Sequence, residues 1–330
     1  MGNITRRSLI VSAGIAAPAL LRSRFASAAA SAGNFPFKPI RFIIPYAPGG
    51  GFDVYVRMIA PAMEQLLPHK VAIIPLNVSG GGGARGLIQL YRARPDGYTL
   101  GIFNIPGAFI LQQQQGGESE YDLAKFTWVG AMGEGEHYVL AVGANSPLKT
   151  YDDLKKLSEQ RPVKFSATGP EGTAYAATVI GTKLLGLRAQ LITGYKSSAD
   201  YVVAAIRGDS DAVIASYPTA MRFVRGNQIR LLATFRKEPG SPIPDADALG
   251  QPDLNDIRVE RVVGAPPGLP LEIRAILSNA LAKAVIDPKV VAWAKDNDVV
   301  MLPKTAPTTA AVVARQRAFF EQWKGLLATG

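Results

Sequence analysis

Two glycine-bearing loops hold the residues best suited to chemistry. In the first, Tyr46-Ala47-Pro48-Gly49-Gly50-Gly51-Phe52-Asp53 follows an apolar run and precedes apolar residues at helical spacing. Adjacent glycines let a ligand approach the main chain closely. The unpaired N–H groups and dipole of a following helix would then favour an anion. Asp53 stands where an N-cap would. A tight strand-to-helix turn that needs glycine for geometry alone is the alternative. The loop lacks the G-x-G-x-x-G spacing of a dinucleotide site, and no Gly-Lys-Ser/Thr follows as in a phosphate loop. The second loop runs from Ser166 through Ala167, Thr168, Gly169 and Gly172 to Thr173. It offers hydroxyls and glycine N–H groups at another helix start, with an ordinary N-cap as the alternative. Two such loops could hold a dicarboxylate from both sides. Gly80 to Gly83 reads as a wide turn.

Residues for catalysis are sparse. His69 follows Pro68 at a helix end and reads as a surface residue, and His137 stands beside Tyr138 without metal-ligand spacing. Asp152 and Asp153 open a helix and suit its dipole. No G-x-S-x-G elbow is present. The chain has no cysteine, which removes disulfides, thiolate sites and a lipidation signal. No metal, cofactor or catalytic residue is expected, and the chain reads as a binder rather than an enzyme.

The loops need a scaffold. Strand runs at 40–45, 70–76 and 98–103 alternate with helical stretches at 54–67 and 84–92, which implies a mostly parallel sheet with packed helices. Strands at 126–132 and 138–143 flank Gly133-Glu134-Gly135-Glu136, a crossing between two units. The alternation then restarts: helix 151–160, strand 163–167, helix 174–185, strand 190–193, helix 200–207, strand 212–215, helix 218–225 and strand 230–234. A Pro-rich loop at 238–252 leads to a strand at 258–265 and helices at 270–286, 288–297 and 308–327. The expected organisation is a first lobe of residues 34–135 plus 238–330 and a second of 136–237, with the return near 235–238. In open α/β sheets, ligands sit beyond the carboxyl ends of strands.

The first thirty residues differ from this pattern. Arg6-Arg7 precede an uncharged stretch from Ser8 to Leu21, and Ala26-Ser27-Ala28 offers a cleavage site. The stretch falls short of the roughly 20 residues that span a bilayer. Residues 1–30 are therefore expected to be a secretory signal, in which the arginine pair resembles a twin-arginine motif with Leu9 in place of Phe. The chain of 330 residues carries a net charge of +10, which falls by four to +6 when Arg6, Arg7, Arg22 and Arg24 leave with the signal. Its bases are scattered, so a nucleic-acid groove is not indicated. Hydrophobic residues at 48% and charged residues at 19% give a globular balance rather than a disordered one.

The segment from Pro39 to Asp53 resembles the opening strand and ligand loop of the Bug-type receptors of tripartite tricarboxylate transporters. Asn77 with Gly80 to Gly83 and Gly86, then Arg94-Pro95-Asp96-Gly97-Tyr98-Thr99-Leu100, Tyr121-Asp122 with Phe126, Gly194-Tyr195-Lys196 and Gly264-Ala265-Pro266-Pro267-Gly268-Leu269-Pro270 follow in that family's order. The resemblance implies a two-lobed periplasmic binding protein of type II topology, the Venus flytrap. It would close on an organic acid and deliver it to membrane transporter subunits, or in some cases to a sensor, with monomer as the expected state. It further implies that main-chain groups of Ala47 to Asp53 and Ala167 to Thr173 hold a carboxylate. Phe52 stands where the family usually has Thr or Ser, Val78-Ser79 replaces Arg-Pro, and Ser216 lies where many members carry Asp or Asn. These departures surround the implied cleft, so the ligand is not transferable from a known member.

Overall fold

A computed structural model of the chain describes residues 32–170 and 172–327. The expected signal peptide lies outside the described residues. No helix among the described residues is long and apolar enough to cross a membrane.

The first sheet is built from β1 (Ile40–Ile44), β2 (Ile73–Asn77), β3 (Thr99–Phe103), β4 (Thr127–Met132), β11 (Val262–Ala265) and β12 (Pro303–Lys304), in the order β12-β4-β11-β3-β1-β2. β1 pairs parallel with β2 and β3, whereas β11 and β12 pair antiparallel. The second sheet has the order β10-β5-β8-β6-β7, from β5 (Glu136–Gly143), β6 (Val163–Ser166), β7 (Ala189–Ile192), β8 (Ala212–Ser216) and β10 (Arg258–Val259). In addition, β9 (Ile229–Thr234) pairs with β5. Both sheets are mixed, as expected, but the parallel share is smaller than the sequence pattern implied. Strands that leave one unit for the other come back in the opposite sense, and each such return adds an antiparallel pairing.

Helices cover the sheets. α1 (Gly51–Leu66), α8 (Leu271–Val285) and α9 (Pro288–Asp296) pack together on one face of the first sheet, over Ile40, Phe42 and Ile44. The first unit also contains α2 (Ala84–Tyr91), α3 (Ile105–Gln115) and α10 (Ala306–Gln322). The second contains α4 (Tyr151–Gln160), α5 (Thr173–Leu184), α6 (Ser198–Arg207) and α7 (Tyr217–Arg225). A terminal turn, α11 (Lys324–Leu327), touches both α3 and α5. One apolar cluster therefore runs without a break from Phe103, Phe109 and Phe320 to Leu140, Ile180 and Phe235.

β4 ends at Met132 in the first sheet and β5 begins at Glu136 in the second, so the chain passes between the sheets over residues 133–135. The return comes later than the expected 235–238. β10 pairs with β5 at Arg258↔His137 and Val259↔Glu136, so the chain stays with the second sheet to Val259. The cause is the length of β5, whose edge carries β9 along residues 139–143 and leaves residues 136–137 for β10. α3 corresponds to no helix in the sequence reading. Ile105 to Ile110 are all buried, so no polar face marks the period, and Pro106-Gly107 imitates a turn. Proline is tolerated there because the first helical turn needs no amide donor.

Candidate functional site

The first loop joins β1 to α1 at the carboxyl end of the parallel strands. Ala47, Pro48, Gly49, Gly50 and Gly51 are exposed, so the loop presents an open face. Its three glycines are not equivalent. Gly49 has φ +80°, a conformation that disfavours L side chains. Gly50 is the N-cap with φ −74°, and a β-carbon there would lie an ordinary 3.5 Å from the Ala47 carbonyl. A β-carbon on Gly51 would stand 3.3 Å from Nη2 of Arg261. The N–H groups of Gly51, Phe52 and Asp53 form the first turn of α1, where no intrahelical acceptor exists.

Asp53 is not the N-cap that the sequence suggested. It sits within the first turn, and its buried carboxylate folds back to accept the Gly49 N–H at 2.9 Å. It also accepts Nε of Arg57 and Nδ2 of Asn77, each at 2.9 Å. Burial pushes its pKa up, but the bonds from Arg57, Gly49 and Asn77 outweigh that and hold it below the usual carboxylate value. Asn77 further donates to the Tyr46 carbonyl at 3.0 Å. This network shapes the loop from behind and leaves its exposed side to a ligand. Phe52 packs within its own unit, 4.9 Å from the Tyr46 ring and 4.2 Å from the Arg261 guanidinium.

The second loop joins β6 to α5. Ala167 is fully buried and its N–H bonds the Ile192 carbonyl at 3.0 Å, so it serves the sheet. Gly172 is the N-cap of α5, and its N–H donates to the Gly169 carbonyl at 2.8 Å. A β-carbon on Gly172 would fall 1.9 Å from Oγ1 of Thr168, so glycine is required by close approach. That Thr168 hydroxyl is shielded and has no hydrogen-bond partner among the described residues. Ser216 occupies the N-cap of α7, yet its hydroxyl donates to Oγ1 of Thr219 at 3.0 Å instead of capping the helix.

The second loop meets the first unit through Asn104, which the sequence reading missed. Asn104 occupies the N-cap position of α3 directly after β3, the strand that pairs parallel with β1. Thr173 donates its hydroxyl to Oδ1 of Asn104 across the two units. The amino end of α5 is thus held against the strand edge that carries the first loop. A polar residue ending the fully buried strand Thr99–Phe103 was the available signal.

A second missed group is Arg261, between β10 and β11. Its guanidinium donates to Oε1 of Glu136 at 2.8 Å, and Tyr55 donates to the same oxygen at 2.8 Å. Burial opposes the charge on Arg261, but Glu136 and Tyr55 hold it protonated. Burial and then Glu136 push the Tyr55 phenol well above its ordinary pKa. Adjacent Glu260 and Arg261 between apolar residues were the sequence signal for a buried ionic crossing. Glu260 pairs with Lys304 at 3.1 Å.

His69 is exposed, as expected. His137 stacks on Tyr217 at 4.6 Å; burial first, then Arg236 and Arg258, lowers its pKa to about 4. No group of three or more metal-ligating side chains occurs among the described residues.

Comparison with known proteins agrees with this architecture. Residues 55–324 match the sequence profile of the tripartite tricarboxylate transporter family receptor. The chain is 25% identical over 327 residues to Protein BugT of Bordetella pertussis, covering 96% of this chain and 94% of that protein. A solved structure described as a periplasmic transporter superposes with a TM-score of 0.72 at 26% identity, over 86% of this chain and 95% of that one. MatC of Rhodopseudomonas palustris, solved with bound malate, gives 0.71 at 21% identity, over 89% and 100%. The chain is a member of the tripartite tricarboxylate transporter receptor family, with the fold of the periplasmic binding proteins.

Proposed function

We propose that this receptor captures a small organic carboxylate between its two units, without turnover, and hands it to transporter subunits in the membrane. The observation that carries the reading is the pair of glycine-opened helix starts, α1 and α5, each following a parallel strand, with the α5 start tied to the first unit by Thr173 and Asn104. Neither loop contains Lys or Arg. The donors are therefore main-chain N–H groups and hydroxyls, aided by two helix dipoles. Gly50, Gly51 and Phe52 supply donors from the first loop. Gly172 shapes the second, where Thr168 supplies a hydroxyl and Thr173 braces the start of α5 against Asn104. Asp53 and Ala167 position main chain, and Ser216 lies at the neighbouring helix start. The malate bound by MatC supports a carboxylate as the ligand class.

The protein would reach the periplasm through cleavage of the N-terminal segment between Ala28 and Gly33 and work there as a monomer. N-terminal sequencing and sedimentation of periplasmic material test both points. The functional reading is tested by thermal-shift screening of the mature chain against mono-, di- and aromatic carboxylates. A ligand at 100 times its Kd should add about 2.7 kcal/mol of stability. The bound acid should be recovered unchanged. A screen in which no carboxylate raises Tm, or in which the acid is consumed, contradicts the reading.

A further inference from the structure

The crossing between the units encloses a cavity of about 70 Å³ that carboxylate capture at the loops does not use. Its walls come from both units, with Tyr55 from the first, Tyr217 and Arg236 from the second, and Glu136, His137 and Arg261 at the crossing itself. Two buried nitrogen atoms in these walls, Nε2 of His137 and Nε of Arg261, have no hydrogen-bond partner among the described residues. Both residues are only 8% exposed. Leaving such groups unpaired is costly, so an acceptor in the cavity they line is favoured.

The chemistry of that acceptor follows from its surroundings. Nη2 of Arg261 is already used by Glu136, whereas Nε can only donate. His137 is held neutral, so its ring offers one N–H without adding charge. Burial is the main cause of its depressed pKa, and the positive charges of Arg236 and Arg258 add to it. Three carboxylates also line the cavity: Glu136 is engaged by Tyr55 and Arg261 and Asp298 by Arg225, while Glu134 is exposed to solvent, where its charge is screened. The volume exceeds what one water needs but falls far below the roughly 300–1,000 Å³ of an ordinary ligand pocket.

We propose that this cavity is a second binding site, for a small monovalent anion the size of chloride or formate, held by the N–H groups of His137 and Arg261. Because both units form its walls, occupancy depends on how they are disposed, and anion binding is linked to closure of the cleft. The site does not rest on the carboxylate reading, and substitutions in its walls separate it from any binding at the glycine loops.

The mature chain is melted in rising sodium chloride or sodium formate at constant ionic strength, with sodium methanesulfonate, a larger anion without a carboxylate, as the balancing salt. The expected result is a saturable rise in Tm with one or both small anions. His137→Phe retains a ring to stack on Tyr217 but removes the N–H, and should abolish the rise. Arg236→Gln changes an exposed residue and should move the half-saturating concentration several-fold higher. Response to chloride alone assigns a halide site, and to formate alone a carboxylate site. A rise that never saturates, or a saturable rise untouched by both substitutions, overturns the proposal. Should His137→Phe fail to fold, the Arg236→Gln titration decides.

Discussion

Asp53 shows how one buried carboxylate can shape an exposed glycine loop from behind. It ties Gly49 to Arg57 and Asn77, which join the loop to α1 and β2. Asp53→Asn should cost about 1–3 kcal/mol, because at least one buried donor loses a charged acceptor. Denaturant unfolding at neutral pH checks this. The folded pKa lies below the unfolded one, so the contribution is present above the unfolded value and is lost as pH falls through the folded value. His137 also has a depressed folded pKa, so its neutral form is the one that suits the fold. Stability should fall as pH drops from roughly 6.5 to about 4, by up to about 3 kcal/mol. His137→Phe should flatten that part of the pH–stability curve, and an unchanged slope would contradict the assignment. Asp53 was visible in the sequence as a polar residue at a helix start. Its partner Asn77 became legible only through the pairing Ile44↔Asn77, which places two distant residues side by side.

At the scale of the element, the strand-loop-helix units were legible because glycine, turn residues and apolar spacing agree along the chain. β1 with α1, and β6 with α5, both follow that pattern. What the sequence did not reveal was the difference between neighbouring glycines. Gly49 needs positive φ and Gly50 does not. Gly49→Ala is therefore expected to lower stability by about 1–2 kcal/mol, as thermal melting should show. Gly50→Val should fold normally and act on binding instead. Thr173→Val keeps the shape of the α5 start but removes the hydroxyl given to Asn104. It should cost about 1 kcal/mol in stability and weaken carboxylate binding by loosening the α5 start rather than by removing a ligand hydrogen bond. α3 escaped the sequence reading because burial on every side erased its period, and Asn104 was lost with it.

At the scale of the whole molecule, the two-unit plan was legible from the restart of the α/β pattern after Gly133 to Glu136. The return was not, because only pairing with the exposed length of β5 assigns β10 to the second sheet. The buried Glu136–Arg261 pair at this point is a structural lock on the crossing. Arg261→Met alone should cost about 3–5 kcal/mol by stranding Glu136, whereas combining it with Glu136→Leu should recover most of that loss. Two units joined at such a crossing are expected to hinge, and solution scattering should record a smaller radius of gyration with ligand. The central claim, that exposed main chain of the first loop holds the carboxylate, is tested most directly by calorimetry on Gly50→Val with the acid identified by screening. A Tm in the absence of ligand equal to that of the wild type, with affinity reduced at least about tenfold or some 1.4 kcal/mol, is the expected result. A normally folded Gly50→Val protein that binds the acid as tightly as the wild type would contradict the account.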